Sequence, residues 1–229
     1  MNAAAVIVAA GRSTRFGETL PKQFQSVLGR PLLAWTVSRF EAAKTINSII
    51  LVVSEDQLMH VGEGIVEKFG LSKVIKIIVG GETRRESVLN GLEGLSHSTD
   101  LVAIHDGARP LVLPTDIDRV VEVASREHAA MLATPLVDTL KRVSKGSIVS
   151  TVERDDLYLA QTPQVFDYEL ILEAHRSITS DTIATDDASL IEGRGFKVRI
   201  VEPTGLNLKV TRPDDLLVVE DYLKREQND

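Results

Sequence analysis

The chain contains no cysteine. That excludes disulfides and thiolate-ligated metal sites and fits a reducing compartment. Aromatic residues make up only 4% of it, with a single tryptophan, against an apolar share of 43%. The interior must therefore be built from Val, Ile, Leu and Ala, which suits a sheet covered by helices. No apolar run is long enough to span a bilayer. Met1-Asn2-Ala3 leads straight into a short strand pattern with no basic region ahead of it, so neither a membrane span nor a signal peptide is expected. Positive charge is also in deficit, the formal net charge being −7, so there is no global basic field for nucleic acid. None of the five histidines stands at metal-ligand spacing from another. An anionic ligand would have to be met by Arg and Lys residues placed locally in loops.

What is present is an alternation. Short β-branched runs at 4–8, 49–53, 74–79, 101–104, 131–135 and 198–201 predict strands. Between and after them, 31–42, 84–95, 114–127 and 213–225 carry apolar residues at helical spacing. The last of these is read as opening on Pro213 and closing on Lys224-Arg225, in accord with the helix dipole. The pattern predicts an α/β fold with a doubly wound, mostly parallel, Rossmann-like sheet. At 229 residues, without repeats or an obvious linker, residues 1–229 are expected to form a single domain. One segment breaks the rhythm: residues 139–152 hold two β-prone pieces around Ser144-Lys145-Gly146-Ser147, the mark of a hairpin. Such a ribbon is marginal alone, so a projecting arm that leans on a second subunit is expected.

Ligands of open α/β sheets bind beyond the carboxyl ends of the strands, and the unusual residues follow strands. After the first come Ala9, Ala10, Gly11 and Arg15, then Pro21-Lys22-Gln23. This is neither a G-x-G-x-x-G fingerprint nor a Walker A loop, but small residues and two cations suit a nest for phosphates, the plain alternative being an ordinary polar loop. After the third come Gly80-Gly81, Arg84 and Ser87, suited to close backbone approach or to a local cap. After the fourth, His105-Asp106-Gly107-Ala108-Arg109-Pro110 offers a carboxylate for a ribose hydroxyl or a phosphate-bound metal, or else an internal Asp106–Arg109 pair. His105 reads as a packed strand residue. Arg154 follows the hairpin, and Lys209 sits in a short β-prone piece, an odd place for a solvating lysine. Thr162-Pro163-Gln164 is a polar corner. Thr185 is read as a helix N-cap, and Asp116-Ile117-Asp118 as helix capping rather than a metal motif.

Taken in order, Val8-Ala9-Ala10-Gly11-x-x-x-Arg15, Pro21-Lys22-Gln23, Gly80-Gly81-x-x-Arg84-x-x-Ser87-Val88, His105-Asp106-x-Ala108-Arg109-Pro110, Asp138-Thr139, Gln161-Thr162-Pro163-Gln164, Thr185-Asp186-Asp187-Ala188 and Lys209-Val210-Thr211-x-Pro213 resemble the 2-C-methyl-D-erythritol 4-phosphate cytidylyltransferase family over nearly the whole chain.

The resemblance implies transfer of CMP from CTP to methylerythritol phosphate, with Mg²⁺, in the cytoplasm. It implies that Ala9, Ala10, Gly11, Gly81, Ser87, Asp106 and Ala108 hold the nucleotide, with Arg15 and Lys22 on its phosphates. Asp106, Arg109, Thr139, Arg154, Thr162, Thr185 and Lys209 would hold the sugar phosphate, Arg15, Lys22, Arg154 and Lys209 being catalytic and Asp106 a candidate contact for the metal. Thr139 would reach a partner's site in a homodimer joined through the arm. Ser13 and Gly107 depart from the residues commoner in the family. A ribitol-5-phosphate cytidylyltransferase or a nucleotide-binding regulator without chemistry are the competing readings. An ionised phosphate nucleophile needs no general base, which accords with the want of a His/Asp dyad.

Overall fold

The computed structural model describes residues 1–11, 16, 20–178 and 185–227. Its elements, in chain order, are β1 Ala3–Val8, β2 Ser26–Val27, β3 Arg30–Pro31, α1 Leu32–Ala42, β4 Ile46–Val53, α2 Leu58–Val61 with a π-helical continuation over Gly62–Glu67, and β5 Val74–Val79. There follow α3 Arg84–Glu93, β6 Leu101–Asp106, α4 Pro114–Glu127, β7 Ala129–Pro135, β8 Leu140–Ser144, β9 Ser147–Val152, β10 Tyr158–Asp167, α5 Tyr168–Arg176, α6 Asp187–Glu192, β11 Arg199–Val201 and α7 Asp215–Glu226.

Seven strands form the central sheet in the order β11-β7-β10-β6-β1-β4-β5. All neighbours are parallel except β10, which lies antiparallel between β6 and β7. The α/β, mostly parallel expectation holds. The six expected strands are all there, but β10 and the helix α5 behind it were not anticipated. Pro163 denies β10 a ladder donor, and the register with β7 breaks between Ala160 and Gln164, so the stretch reads as a corner in sequence although it is paired in space.

Strand β1 shows why Ala, Val and Ile suffice. Buried on both faces, it sends Ala5 and Ile7 into a layer with Val37 and Phe40 of α1 and Val120 and Val121 of α4. Ala4 and Val6 enter the opposite layer, with Val88 and Leu92 of α3 and Ile171 and Leu172 of α5. Helix α3 comes unusually close: a Cβ at Gly91 would stand 2.4 Å from Val6 Cγ1 and 2.9 Å from Val52 Cγ2. A capping box fixes its start, Thr83 Oγ1 accepting from the Glu86 N–H and Glu86 Oε2 from the Thr83 N–H.

A third cluster joins Val219 and Leu223 of α7 to Leu32, Leu111 and Val210. It anchors the segment carrying Lys209 beside the carboxyl end of β6. Three boundary readings change. Pro213 lies ahead of α7, whose N-cap is Asp214. Asp186, not Thr185, caps α6, its Oδ1 accepting from Ser189 N–H at 3.0 Å. Asp116 and Asp118 do not cap α4, whose N-cap is Leu113. Asp116 instead accepts from the Thr204 N–H and hydroxyl, and Asp118 from those of Thr45, so both tie loops to the helix.

Strands β8 and β9 pair with each other in a separate two-stranded ribbon. Lys145 and Gly146 at the tip have φ of 49° and 79°, as a tight hairpin turn requires. Leu140, Val143, Ile148 and Val149 along it are exposed. Among the described residues no helix is long and apolar enough to cross a membrane.

Candidate active site

Three strand ends meet at one edge of the sheet. Val8 and Asp106 are register partners at the ends of β1 and β6. A Cβ on Gly107 would stand 3.0 Å from Ala9 Cβ, and one on Gly80 would stand 2.4 Å from Ala10 Cβ. The loops after β1, β5 and β6 are thus in mutual contact, which the sequence alone could place only on a common edge. Small residues at Gly80 and Gly107 are what lets them close up.

Asp106 is the hub, 7% exposed as the last residue of β6. Lys209 Nζ donates to its Oδ2 at 2.7 Å and Arg84 Nε to its Oδ1 at 3.1 Å, with Arg109 Nε 3.8 Å from Oδ2. Burial disfavours the carboxylate, but Arg84, Lys209 and Arg109 outweigh it and hold the carboxyl far below its ordinary range. Burial likewise works against the Arg84 cation, and Asp187 and Asp106 together more than compensate, raising its pKa.

Arg109 is nearly buried, Nη1 donating to the Asn207 carbonyl at 2.7 Å. Its buried Nε has no hydrogen-bond partner among the described residues. Lys209 lies outside any strand, contrary to the β-prone reading, because the segment is held by tertiary bonds instead. Val210 N–H donates to the Ala108 carbonyl at 2.8 Å, and Asn207 Nδ2 to Gln161 Oε1 and the Thr162 carbonyl. Lys22 opens a 3₁₀ turn and its Nζ donates to the Val210 carbonyl at 2.7 Å, which brings it beside the Lys209 segment.

Gln23 clamps the Ala9 to Gly11 loop, Nε2 donating to the carbonyls of Ala9 at 2.7 Å and Gly11 at 3.1 Å. Ser87 does the same for the glycine pair: Oγ accepts from the Gly81 N–H at 3.1 Å and donates to the Thr83 carbonyl at 2.9 Å. Thr185 lines a small recess with Arg84, Arg85, His175 and Asp187. Thr139 and Arg154 stand exposed at the foot of the ribbon, where Arg154 Nη1 donates to the Val137 carbonyl; the structure groups them with the ribbon. Arg15 and Ser13 lie outside the described residues.

Beneath Asp106, Thr162 Oγ1 accepts from the Asp106 N–H at 3.1 Å and lies 3.0 Å from His105 Nδ1. The Arg109 carbonyl, 3.3 Å from Nε2, can only accept, so Nε2 carries the proton, and on a neutral ring Nδ1 accepts the Thr162 hydroxyl hydrogen. This wiring needs a neutral His105. Burial first, then Arg109 and Lys209, push its pKa down to about 3 despite Asp106. His105 is thus a packed residue whose ring ties Arg109, four residues on, to Thr162. Between about pH 6.5 and about 3, the unfolded chain binds a proton here that the folded chain refuses. Stability should fall as pH is lowered through that window. His105→Gln should flatten the slope of urea midpoint against pH there; an unchanged slope would contradict the assignment.

Sequence reasoning gave no role to Gln23, Asn207 or Asp187. Gln23 and Asp187 sit within quoted motifs, the only signal available. Asn207 gave none, since its value lies in reaching Gln161 and Thr162 across the fold.

An α/β sheet whose carboxyl edge gathers cations from separate loops around one buried carboxylate has the build of an enzyme acting on phosphorylated substrates. The family profile of 2-C-methyl-D-erythritol 4-phosphate cytidylyltransferase matches residues 3–225. The chain belongs to this family. It is 42% identical over 227 residues to the enzyme of that name from Caldanaerobacter subterraneus, covering 98% of this chain and 100% of that one. It is 40% identical over 228 residues to the one from Halalkalibacterium halodurans, covering 99% of each. The fold is similar to the crystal structure of 4-diphosphocytidyl-2C-methyl-D-erythritol synthase from Anaerococcus prevotii, with a TM-score of 0.85, 30% identity and coverage of 97% and 96%. It is also similar to 2-C-methyl-D-erythritol 4-phosphate cytidylyltransferase from Thermus thermophilus, with a TM-score of 0.77, 33% identity and coverage of 96% and 98%.

Proposed function

We propose that this chain transfers the cytidylyl group of CTP to 2-C-methyl-D-erythritol 4-phosphate, as a step of non-mevalonate isoprenoid precursor biosynthesis in the cytoplasm. A phosphate oxygen of the sugar phosphate forms a bond to the α-phosphorus of CTP as the bond to the bridging oxygen breaks. The products are 4-diphosphocytidyl-2-C-methyl-D-erythritol and pyrophosphate. The observation that carries this reading is Asp106 held between Arg84 and Lys209, beside Arg109, where the Ala9–Gly11 and Gly80–Gly81 loops meet.

In this reading backbone groups of Ala9, Ala10, Gly11, Gly81 and Ala108, with Ser87, seat the nucleotide. Arg15 and Lys22 take its phosphates. Asp106, Arg109, Thr162, Thr185 and Lys209 seat the sugar phosphate, and Thr139 and Arg154 of a second subunit complete its site. The nucleophile arrives ionised, so these residues work by positioning two anions and countering charge that builds on the phosphoryl oxygens.

Among the described residues no group of three or more His, Cys, Asp or Glu could cage a metal. Asp106, the candidate metal contact, has Arg84 on Oδ1 and Lys209 on Oδ2, so Mg²⁺ would be held mainly by the CTP phosphates that carry it in. Bound so, Mg²⁺ would neutralise phosphate charge.

With CTP, methylerythritol phosphate should be turned over and ribitol 5-phosphate should not; preference for ribitol 5-phosphate would overturn the substrate assignment. The exposed apolar residues of the ribbon, Leu140, Val143, Ile148 and Val149, support a homodimer through it. Sedimentation at micromolar concentration should give the dimer mass, and a monomer would count against that role.

A further inference from the structure

One ion-pair chain runs from the candidate site into the protein, and its inner part, beyond Arg84, has no part in the chemistry above. Asp187, the first residue of α6, has a side chain only 2% exposed. Its Oδ2 lies 2.8 Å from Arg84 Nη2, and its Oδ1 lies 3.1 Å from His175 Nε2 at the end of α5. His175 is buried too, and its Nδ1 has no hydrogen-bond partner among the described residues. A proton on Nδ1 would be a buried donor without an acceptor, so the ring holds its proton on Nε2, facing Asp187. Arg84 is the permanent cation facing Asp187 Oδ2.

Arg84 has two duties at once. Its Nη2 forms an ion pair with the buried Asp187 at 2.8 Å, and its Nε–H donates to Asp106 Oδ1 at 3.1 Å. A guanidinium is planar and rigid, so anchoring one nitrogen aims the other. Neither carboxylate could be served by a point cation in the same way. With Oδ1 taken by Arg84, Asp106 turns Oδ2 toward Lys209 and Arg109. Were Arg84 absent, nothing would hold Oδ1, the carboxylate could turn, and the Lys209 ammonium bonded to Oδ2 at 2.7 Å would shift with it.

We propose that Arg84, aimed by the Asp187–His175 pair, is a positioning residue that sets the orientation of Asp106 and, through Asp106 Oδ2, the place of the Lys209 ammonium at the sugar-phosphate site. The proposal rests on the function inferred above. It does not place Arg84 in contact with the reacting atoms.

The test is steady-state kinetics with each substrate varied in turn, on Arg84→Ala, Asp187→Asn and the double variant. Arg84→Ala should lower kcat/KM for the sugar phosphate about 10- to 100-fold, the worth of one hydrogen bond to a charged group. The KM for CTP should stay within about threefold. Because Arg84 is a third exposed (side chain 36%), millimolar guanidinium should enter and restore much of the loss, which a merely unfolded or loosened variant would not show. Asp187→Asn should lower the same parameter, and the double variant should be no worse than Arg84→Ala, as for residues acting as a unit. Unimpaired Arg84→Ala, equal losses for both substrates, no rescue by guanidinium, or multiplying losses in the double variant would each overturn the proposal. Should Asp187→Asn not fold, the Arg84→Ala split and its rescue still decide. Wild-type enzyme in the same assay separates the two claims: no wild-type turnover counts against the function, whereas turnover with an unimpaired Arg84→Ala counts against the positioning role alone.

Discussion

Lys22→Ala is expected to lower kcat by about 10²–10³-fold while the KM for CTP changes by less than about threefold, the loss typical of removing one charge-stabilising donor. Lys22 begins the 3₁₀ turn that follows the nucleotide loop, and its Nζ reaches the Val210 carbonyl at 2.7 Å, one residue from Lys209. The ammonium is therefore held where the Lys22 turn meets the Lys209 segment, the two stretches to which the proposed function gives phosphate-directed charge. In the proposed function, ground-state binding of CTP would be shared with backbone groups of the Ala9–Gly11 loop, which Gln23 braces independently. Charge that accumulates only during transfer has no such backup, so the deficit should fall on turnover. Stopped-flow and steady-state measurements with saturating CTP read this out. A kcat near that of wild type would remove Lys22 from the mechanism, and a rise in KM alone would make it a binding residue.

Asp106→Asn should be nearly as damaging and should also cost stability. The substitution keeps the shape but leaves Arg84, Lys209 and Arg109 without the carboxylate between them. Breaking a fully buried pair costs about 3–5 kcal/mol. Arg84 and Lys209 are each more than a third exposed, so solvent screening reduces this to about 1–3 kcal/mol. The pH dependence has a definite sign. The Asp106 carboxyl titrates below its ordinary range when folded, so its stabilisation is present above about pH 4 and drains away as pH falls below it. The gap in urea midpoint between wild type and Asp106→Asn should be widest at neutral pH and should narrow in acid. A gap that is constant across pH would contradict the ion-pair account. The kcat/KM for the sugar phosphate should fall about 100-fold, as when a charged group loses its partner at a site.

The parallel strands and four of the helices were legible because each is a local pattern: runs such as 74–79 and the helix over Pro114–Glu127 appear in the structure with those bounds. Strand β10 was not, since its Pro163 and polar Thr162 and Gln164 are buried only because β10 lies between β6 and β7. The loops after β1, β5 and β6 could be placed on a common edge from sequence. Which atoms meet there could not. That Arg84 spans Asp106 and Asp187, and that Arg109 turns inward to the Asn207 carbonyl, depends on chain separations of 22 to 103 residues. Thr185 and Asp186 show the limit at short range: both suit an N-cap, and only the backbone geometry chooses Asp186.

Phosphorus NMR of one mixture tests the central claim most directly: the purified protein, CTP, 2-C-methyl-D-erythritol 4-phosphate and Mg²⁺. The CTP resonances should give way to those of pyrophosphate and a CDP-alcohol diphosphate, and neither should form when the sugar phosphate is left out. Bound CTP that persists unchanged with the sugar phosphate present, or pyrophosphate release without a diphosphate product, would contradict it.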